Sequence, residues 1–255
     1  MKRLIIAEKP SVAADLAKAL GVKTKEGDSF ENDELIIDSA VGHLVELPKP
    51  DDIDKTLKSW RFKTLPILPE KFKLQAIERN AKKLKSLVKL IKRKDVGEIV
   101  NACDAGREGE LIFTYIYELA KSKKPTKRMW MLSMTKDGLT EAYGNLKEQK
   151  EMLSLQDAAR CRSEADWLIG INGTRAFTLK MFGLSGKKAA TVGRVQTPTI
   201  GMLVEREREI RAFKPESYWR ISAEFNIENG PYWGNYIREG FKKNENPHDK
   251  EDRIW

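Results

Sequence analysis

The sequence predicts a mainly parallel, doubly wound α/β domain, then a helical region, then the opening strands of a β element. Three observations carry this expectation. From Arg3 to about residue 150, short apolar runs alternate with helical patterns, as repeated strand–helix units do. From Ser154 to about Arg211 the pattern is helical, with loop signals around Gly183 to Gly193. From Ser217 the apolar period changes to two. The expected boundaries are 1–150, 151–215 and 216–255, and the last region stops before its element could complete a domain.

The first unit reads as strand then helix. Arg3-Leu4-Ile5-Ile6-Ala7 is a short apolar run, and Pro10-Ser11 opens a helix over Val12 to Leu20 that Gly21 stops. Between Arg79 and Lys94, Leu84, Leu87, Val88 and Ile91 fall at helical spacing and give one apolar stripe. The other faces of that helix carry eight basic residues and no acidic one. They are either a solvated surface over a sheet or part of a field that attracts DNA. The second unit has a buried strand at Ile99-Val100-Asn101-Ala102-Cys103, ending at Asp104 and the turn Ala105-Gly106-Arg107-Glu108-Gly109, with a helix from Glu110 to Ala120. In the third, a strand over Met129 to Met134 precedes Thr135, placed to cap a helix that runs through Leu146. Tyr218 to Phe225 alternates like a strand, and a turn at Asn229-Gly230 leads to Tyr232–Tyr236, a hairpin. The tail from Lys242 to Arg253 is polar and reads as loop.

Composition narrows the class of protein. At 255 residues, 40% apolar and 33% charged, the chain can bury one large core or two modest ones under a heavily charged surface. A net charge of +9 points to a polyanionic partner, nucleic acid before membrane, although many proteins are basic for solubility alone. Leu4 to Ala7, stopped by Glu8-Lys9, is too short for the core of a signal peptide, and no stretch approaches the length of a membrane span. Cys103 and Cys161 lie far apart, and His43 and His248 are the only histidines, so the sequence offers neither a zinc site nor a disulfide framework. The expected compartment is the cytoplasm.

Ligands of open α/β sheets gather where strands end and helices begin. Glu8 follows the first strand directly, Asp104 follows the second, and Glu108 lies on the turn beyond it. If those strands are neighbours, three carboxylates converge, which is unfavourable unless a cation neutralises them or one keeps its proton. Oxygen ligands without histidine or thiol suit Mg²⁺ or Mn²⁺ rather than zinc. Singly, each residue is more often a cap or a surface ion pair than a ligand, and their joint placement at two strand ends is what points to a site.

Glu8-Lys9-Pro10-Ser11 together with Asp104-Ala105-Gly106-Arg107-Glu108-Gly109-Glu110 resembles the Toprim domain of topoisomerases, primases and some nucleases, whose hallmark is a Glu after the first strand and a later Asp-x-Asp. The second Asp of that motif is Gly106 here, so one usual metal ligand is missing. Either Glu108 or Glu110 substitutes, or water and DNA phosphate hold more of the ion. Metal affinity should then be weaker than usual, and two-metal chemistry is in doubt. Val41-Gly42-His43-Leu44, Asp166 to Ala176 and Val192-Gly193-Arg194-Val195-Gln196-Thr197-Pro198-Thr199 resemble segments of type IA DNA topoisomerases of the topoisomerase III kind. The last is the most distinctive, and Toprim primases and nucleases lack it. The resemblance runs from residue 1 to about residue 225.

The resemblance implies a Toprim domain, an all-helical DNA-binding domain and the start of a β-rich gate domain. It implies breakage, passage and rejoining of single-stranded DNA through a covalent tyrosine intermediate, without ATP. Glu8 would be the acid/base for the leaving 3′ oxygen, and Lys9 would stabilise charge on the phosphate. Glu8, Asp104 and Glu108 would hold Mg²⁺, with Mn²⁺ as a possible substitute. His43, Arg107, Arg175, Arg194, Gln196 and Thr197 would contact DNA; without its motif, Arg194 reads as a helix-start ion pair. The nucleophile is expected in a Tyr-Pro-Arg-Thr-like motif, and none of Tyr115, Tyr117, Tyr143, Tyr218, Tyr232 or Tyr236 is followed by proline. The first three read as packing residues. The chain alone is therefore expected not to relax DNA. Trp167, Trp219 and Trp233 could stack on bases, with core packing favoured for Trp167. Two other readings stay open: a self-contained Toprim nuclease or primase-like enzyme, and a non-catalytic DNA-binding module in which Gly106 marks decay.

Overall fold

The computed structural model describes residues 1–183, 189–215, 217, 219 and 221–236. Two units result, Met1–Pro198 and Thr199–Trp255. Tyr218, the centre of the loop expected near Gly183, and the tail with His248 lie outside the described residues.

In chain order the first unit is built from β1 (Lys2–Ala7), α1 (Pro10–Ala19), β2 (Lys25–Glu26), β3 (Ser29–Glu31), β4 (Leu35–Ser39), β5 (Val45–Glu46), α2 (Pro50–Ile53), β6 (Gln75–Ala76), α3 (Ala81–Ile91), β7 (Val96–Ala102), α4 (Arg107–Ala120), β8 (Thr126–Arg128), α5 (Lys136–Gly144), β9 (Lys147–Glu148) and α6 (Leu153–Phe182). The main sheet runs β2-β3-β4-β1-β7-β8-β9. Its centre, β4-β1-β7-β8, is parallel, and the outer pairs are antiparallel. Alternation along β1 feeds both faces. Leu4 and Ile6 join α3 and α4, while Ile5 and Ala7 join α1 and α5. The doubly wound expectation holds for this reason.

Several local expectations shift. The third central strand is Thr126–Arg128 rather than Met129–Met134. Met129 and Met131 are buried against α1 and α5, which gives their run a strand-like look, but the ladder ends at Arg128. Helix α4 starts at Arg107, so Glu108 rides on its first turn rather than on a loop. Thr135 does cap α5, accepting the N–H of Gly138, and that helix stops at Gly144. On α3, Lys83 is taken up by Asp38 and Asp28, and Arg93 by Glu31 and Asp95. Lys82, Lys85, Lys89, Lys92 and Lys94 are exposed. The exposed lysines fit the solvated-surface reading, whereas Lys83 and Arg93 are drawn into ion pairs within the fold.

Segment 166–176 of α6 fastens the irregular chain between β5 and β6. Trp167 donates to Pro48 O at 2.8 Å and meets Phe72 edge-on. Asn172 accepts from the Ile67 N–H at 2.6 Å and donates to the Ile67 carbonyl at 3.0 Å.

The second unit holds most of helix α7 (Gln196–Ala212) and a hairpin of β10 (Ser222–Ile227) and β11 (Gly230–Asn235). The turn is where Asn229-Gly230 placed it, with Gly230 at φ +109°. Strand β10 is described from Ser222, and Tyr218 and Arg220 of the expected run lie outside the described residues. Phe225 stacks on Tyr232, and Trp219 and Trp233 are exposed. Among the described residues no helix is long and apolar enough to cross a membrane.

Candidate active site

The site forms because β1 and β7 are neighbours in register, Ala7 opposite Ala102. Their carboxyl ends deliver Glu8-Lys9 and Cys103-Asp104 side by side. The Asp104 N–H donates to Glu8 Oε2 at 3.4 Å. The Lys9 ammonium lies 3.5 Å from Glu8 Oε1 and 3.3 Å from Asp104 Oδ2. That bond to Asp104, and then the charge of Glu8, hold the Lys9 pKa above its ordinary value.

Glu108 departs from the expected convergence. It sits on α4 with its carboxylate 65% exposed, and Oε1 is 2.5 Å from His43 Nε2. Starting the helix at Arg107 swings residue 108 toward the turn that follows β4 and away from Asp104. Glu110 is no substitute ligand either. It is wholly buried, with Oε1 2.5 Å from Arg128 Nε, close as an ion pair but not aligned as a hydrogen bond. Among the described residues no three His, Cys, Asp or Glu side chains are grouped so as to hold a metal ion. What remains is a pair of carboxylates, Glu8 and Asp104, with one ammonium between them. A hard cation that keeps waters and takes one or two carboxylates plus substrate phosphate suits such a pair.

Two glycines shape the site in opposite senses. A Cβ on Gly109 would stand 2.2 Å from the Asp104 carbonyl oxygen, so α4 packs directly on the backbone of Asp104. Gly106 has extended backbone, and a Cβ there would meet nothing within 4 Å. The missing acidic residue is therefore not excluded by space.

Beside α4 runs a cleft of about 160 Å³ lined by His43, Arg107, Glu108, Arg162, Ser163 and Asp166. Two of the expected DNA contacts, His43 and Arg107, line it. Arg162 was not foreseen; only its place one turn before Asp166 on α6 could have signalled it. Arg194 pairs with Asp166 through Nε at 2.7 Å and Nη2 at 3.0 Å, which holds its pKa up and that of Asp166 down. Gln196 is exposed, and the Thr197 hydroxyl accepts from the Gly193 N–H at 3.0 Å. Arg175 is a correction. At 5% exposure it donates to Leu57 O and lies over the Trp60 ring, and burial pulls its pKa down. It clamps the same loop as Trp167 and Asn172 and does not face the cleft.

A family model for the Toprim domain matches residues 3–134, and one for DNA topoisomerase matches residues 150–254. The chain belongs to the Toprim family. Within it the chain is topoisomerase III-like, of the type IA kind. DNA topoisomerase 3 of Staphylococcus haemolyticus is 43% identical over 224 residues, covering 88% of this chain and 31% of that protein. DNA topoisomerase 3 of Staphylococcus aureus (strain MRSA252) is 42% identical over 240 residues, 92% of this chain and 33% of its own length. The chain thus spans about a third of the length of these curated relatives. In fold it is similar to full-length topoisomerase I from Thermotoga maritima, with a TM-score of 0.56, 24% identity, and coverage of 86% of this chain and 32% of that one. The Toprim match takes in both strand ends that carry Glu8 and Asp104.

Proposed function

We propose that this chain supplies the acidic and strand-binding half of a topoisomerase III-like active site that breaks, passes and rejoins single-stranded DNA. The observation that carries the reading is the in-register pairing of β1 with β7, which sets Glu8, Lys9 and Asp104 together just before α4. The first turn of that helix borders a cleft lined by Arg107, Arg162 and His43 as well as Glu108 and Asp166. In this reading residues 1–150 are the Toprim domain, 151–215 a helical DNA-binding domain and 216–255 the opening of a gate domain. Its setting is the cytoplasm, where the DNA lies.

Glu8 and Asp104 would hold Mg²⁺, or Mn²⁺ in its place. The ion when bound supplies charge neutralisation at the phosphate. Lys9, one residue from Glu8 and exposed, turns its ammonium from Asp104 to the scissile phosphate and stabilises charge as it builds. In the fraction of molecules where Glu8 carries a proton instead of the ion, it gives that proton to the leaving 3′ oxygen as the bond from phosphorus to that oxygen breaks, and the tyrosine's own proton leaves to water. On resealing, Glu8 takes the proton of the attacking 3′ hydroxyl. Arg107 and Arg162 grip the backbone of the strand along the cleft. Arg194, freed from Asp166, adds a third phosphate contact, with His43, Gln196 and Thr197 nearby. The attacking tyrosine comes from outside these 255 residues, since none of the six present is followed by proline. ATP has no role, because the covalent intermediate conserves the bond energy.

The test is to incubate the chain with single-stranded DNA and Mn²⁺, beside a Glu8→Gln/Asp104→Asn variant. Binding without cleavage, with metal uptake lost in the variant, is the expected result. Metal-dependent cutting that leaves no protein on the ends would make the chain a nuclease and sink this reading.

A further inference from the structure

Among the described residues, the most deeply buried charges are Arg128 and Glu110, and they lie under the site, not in it. Arg128, at the end of β8, has 0% exposure. Its Nη1 donates to the carbonyls of Asn101 at 3.0 Å, Cys103 at 2.8 Å and Met129 at 2.7 Å, and its Nη2 to the carbonyl of Asp104 at 2.8 Å. Its counter-ion Glu110 is equally buried, and receives Asn101 Nδ2 at 3.2 Å and Gln156 Nε2 at 3.1 Å. An apolar side chain of similar volume would fill the same space without the cost of desolvating two charges. Besides its counter-ion and the ring of Trp130, the guanidinium serves peptide carbonyls: those of Asn101, Cys103 and Asp104, where β7 leaves the ladder, and that of Met129 after β8. Without it these would be buried acceptors lacking partners.

We infer that Arg128 is the positioning residue that sets Asp104 against Glu8, and that Glu110 and Gln156 link α6 to that setting. The Asp104 carboxylate is half-exposed, and Lys9 is its side-chain partner. Its place is therefore determined by its own backbone, held from below by Arg128 and from the side by Gly109. The planar fork reaches several carbonyls at once, which the point charge of a lysine cannot do. Gln156 lies on the helix that also carries Arg162 and Asp166 of the cleft. A strand gripped there and the carboxylate at the β7 exit are joined through Gln156, Glu110, Arg128 and the Asp104 carbonyl. The inference rests on the proposed function, because it assigns these residues to the cation site of that reading.

The experiment is Mn²⁺ titration of the whole chain by calorimetry, for the parent, Arg128→Lys, Gln156→Ala and Glu8→Gln/Asp104→Asn, with circular dichroism on each. Supporting residues of metal ligands typically change affinity about ten- to a hundredfold. Arg128→Lys is expected to weaken Mn²⁺ by about that factor in the folded protein, whereas a role in stability alone would lower only the melting temperature. Gln156→Ala, partly buried, is expected to weaken Mn²⁺ by roughly the low end of that range in a protein that stays folded, with a modest fall in melting temperature because Glu110 loses a donor. It carries the test if Arg128→Lys does not fold. Parent-like Mn²⁺ affinity in folded Arg128→Lys, or in Gln156→Ala, overturns the positioning role while leaving the proposed function standing. Equal Mn²⁺ binding by the parent and Glu8→Gln/Asp104→Asn removes the cation site itself, and the inference with it.

Discussion

The two edges of the central sheet handle charge in opposite ways. At the amino edge, Arg93 makes two bonds to Glu31 at 2.7 and 2.6 Å and two to Asp95, while Lys2 reaches Glu31 at 2.6 Å and Arg3 reaches Glu98 at 2.5 Å. Glu31, Asp95 and Glu98 each have a cation there, and the network ties β1, β3, β7 and the turn after α3 together. At the carboxyl edge Glu8 and Asp104 share the one Lys9, and Glu108 leans on a histidine. Charges matched within the fold stabilise it. In the proposed reading, charges left short of a counter-ion are where a cation and a phosphate would be accommodated.

Five substitutions break or sharpen that contrast. Arg93→Ala should cost the most stability, about 2–3 kcal/mol in urea unfolding, somewhat below the usual figure for a broken buried pair because Arg93 is partly exposed. Cation binding at the other edge should not change; if it does, the edges are not independent. The same variant tests the pH dependence. Arg93 holds Asp95 down to about 2 from 3.8, and holds Glu31 below 4.5. Their folded-state pKa values are depressed, so the stability they contribute is present above those ordinary values and lost as pH falls toward about 2. Arg93→Ala should flatten that acid limb of a melting-temperature profile, and an unaltered limb would show that other groups govern it.

Next in size, Gly109→Ala drives a methyl into the Asp104 carbonyl, for roughly 1–3 kcal/mol of strain, and displaces Asp104. Thermal melting and Mn²⁺ titration should both respond; a silent alanine would mean that α4 does not brace the site. Arg175→Ala removes a clamp and leaves the Leu57 carbonyl short of its donor, about 1–2 kcal/mol. Its affinity for single-stranded DNA, read by fluorescence anisotropy, should stay within about twofold, since a twofold change is only a few tenths of a kcal/mol. Arg194→Ala should do the reverse, because its ion pair with Asp166 is exposed and weak. The smallest effect on stability is expected from Gly106→Asp, within about 0.5 kcal/mol, as its side chain meets open space. A third carboxylate at the carboxyl edge should nonetheless tighten Mn²⁺ binding, and unchanged affinity would argue that residue 106 does not look onto the cation.

Much of the fold was legible in the residues. The apolar runs at Leu4–Ala7 and Ile99–Cys103, the stripe of Leu84, Leu87 and Ile91, the Thr135 cap and the Asn229-Gly230 turn all express local preferences that survive in the structure. The site was half legible. Glu8 and Asp104 come together as their places after strands implied, whereas Glu108, Glu110 and Arg175 go elsewhere. All three sit in segments that match a family pattern, and a pattern does not say whether a charged residue points to a ligand or to the protein's own backbone.

What the sequence by itself determined was periodicity and punctuation: which stretches are strands or helices, where they stop, and that carboxylates follow two strand ends. These depend on neighbours a few residues away. Only the tertiary structure decided that β1 and β7 lie side by side, that Arg128 turns back under Asp104, and that Arg175 is enclosed by Leu57 and Trp60. Strand order and the burial of a charge depend on groups far along the chain, because a charge is kept inside only where donors, acceptors and a counter-ion from several elements meet around it.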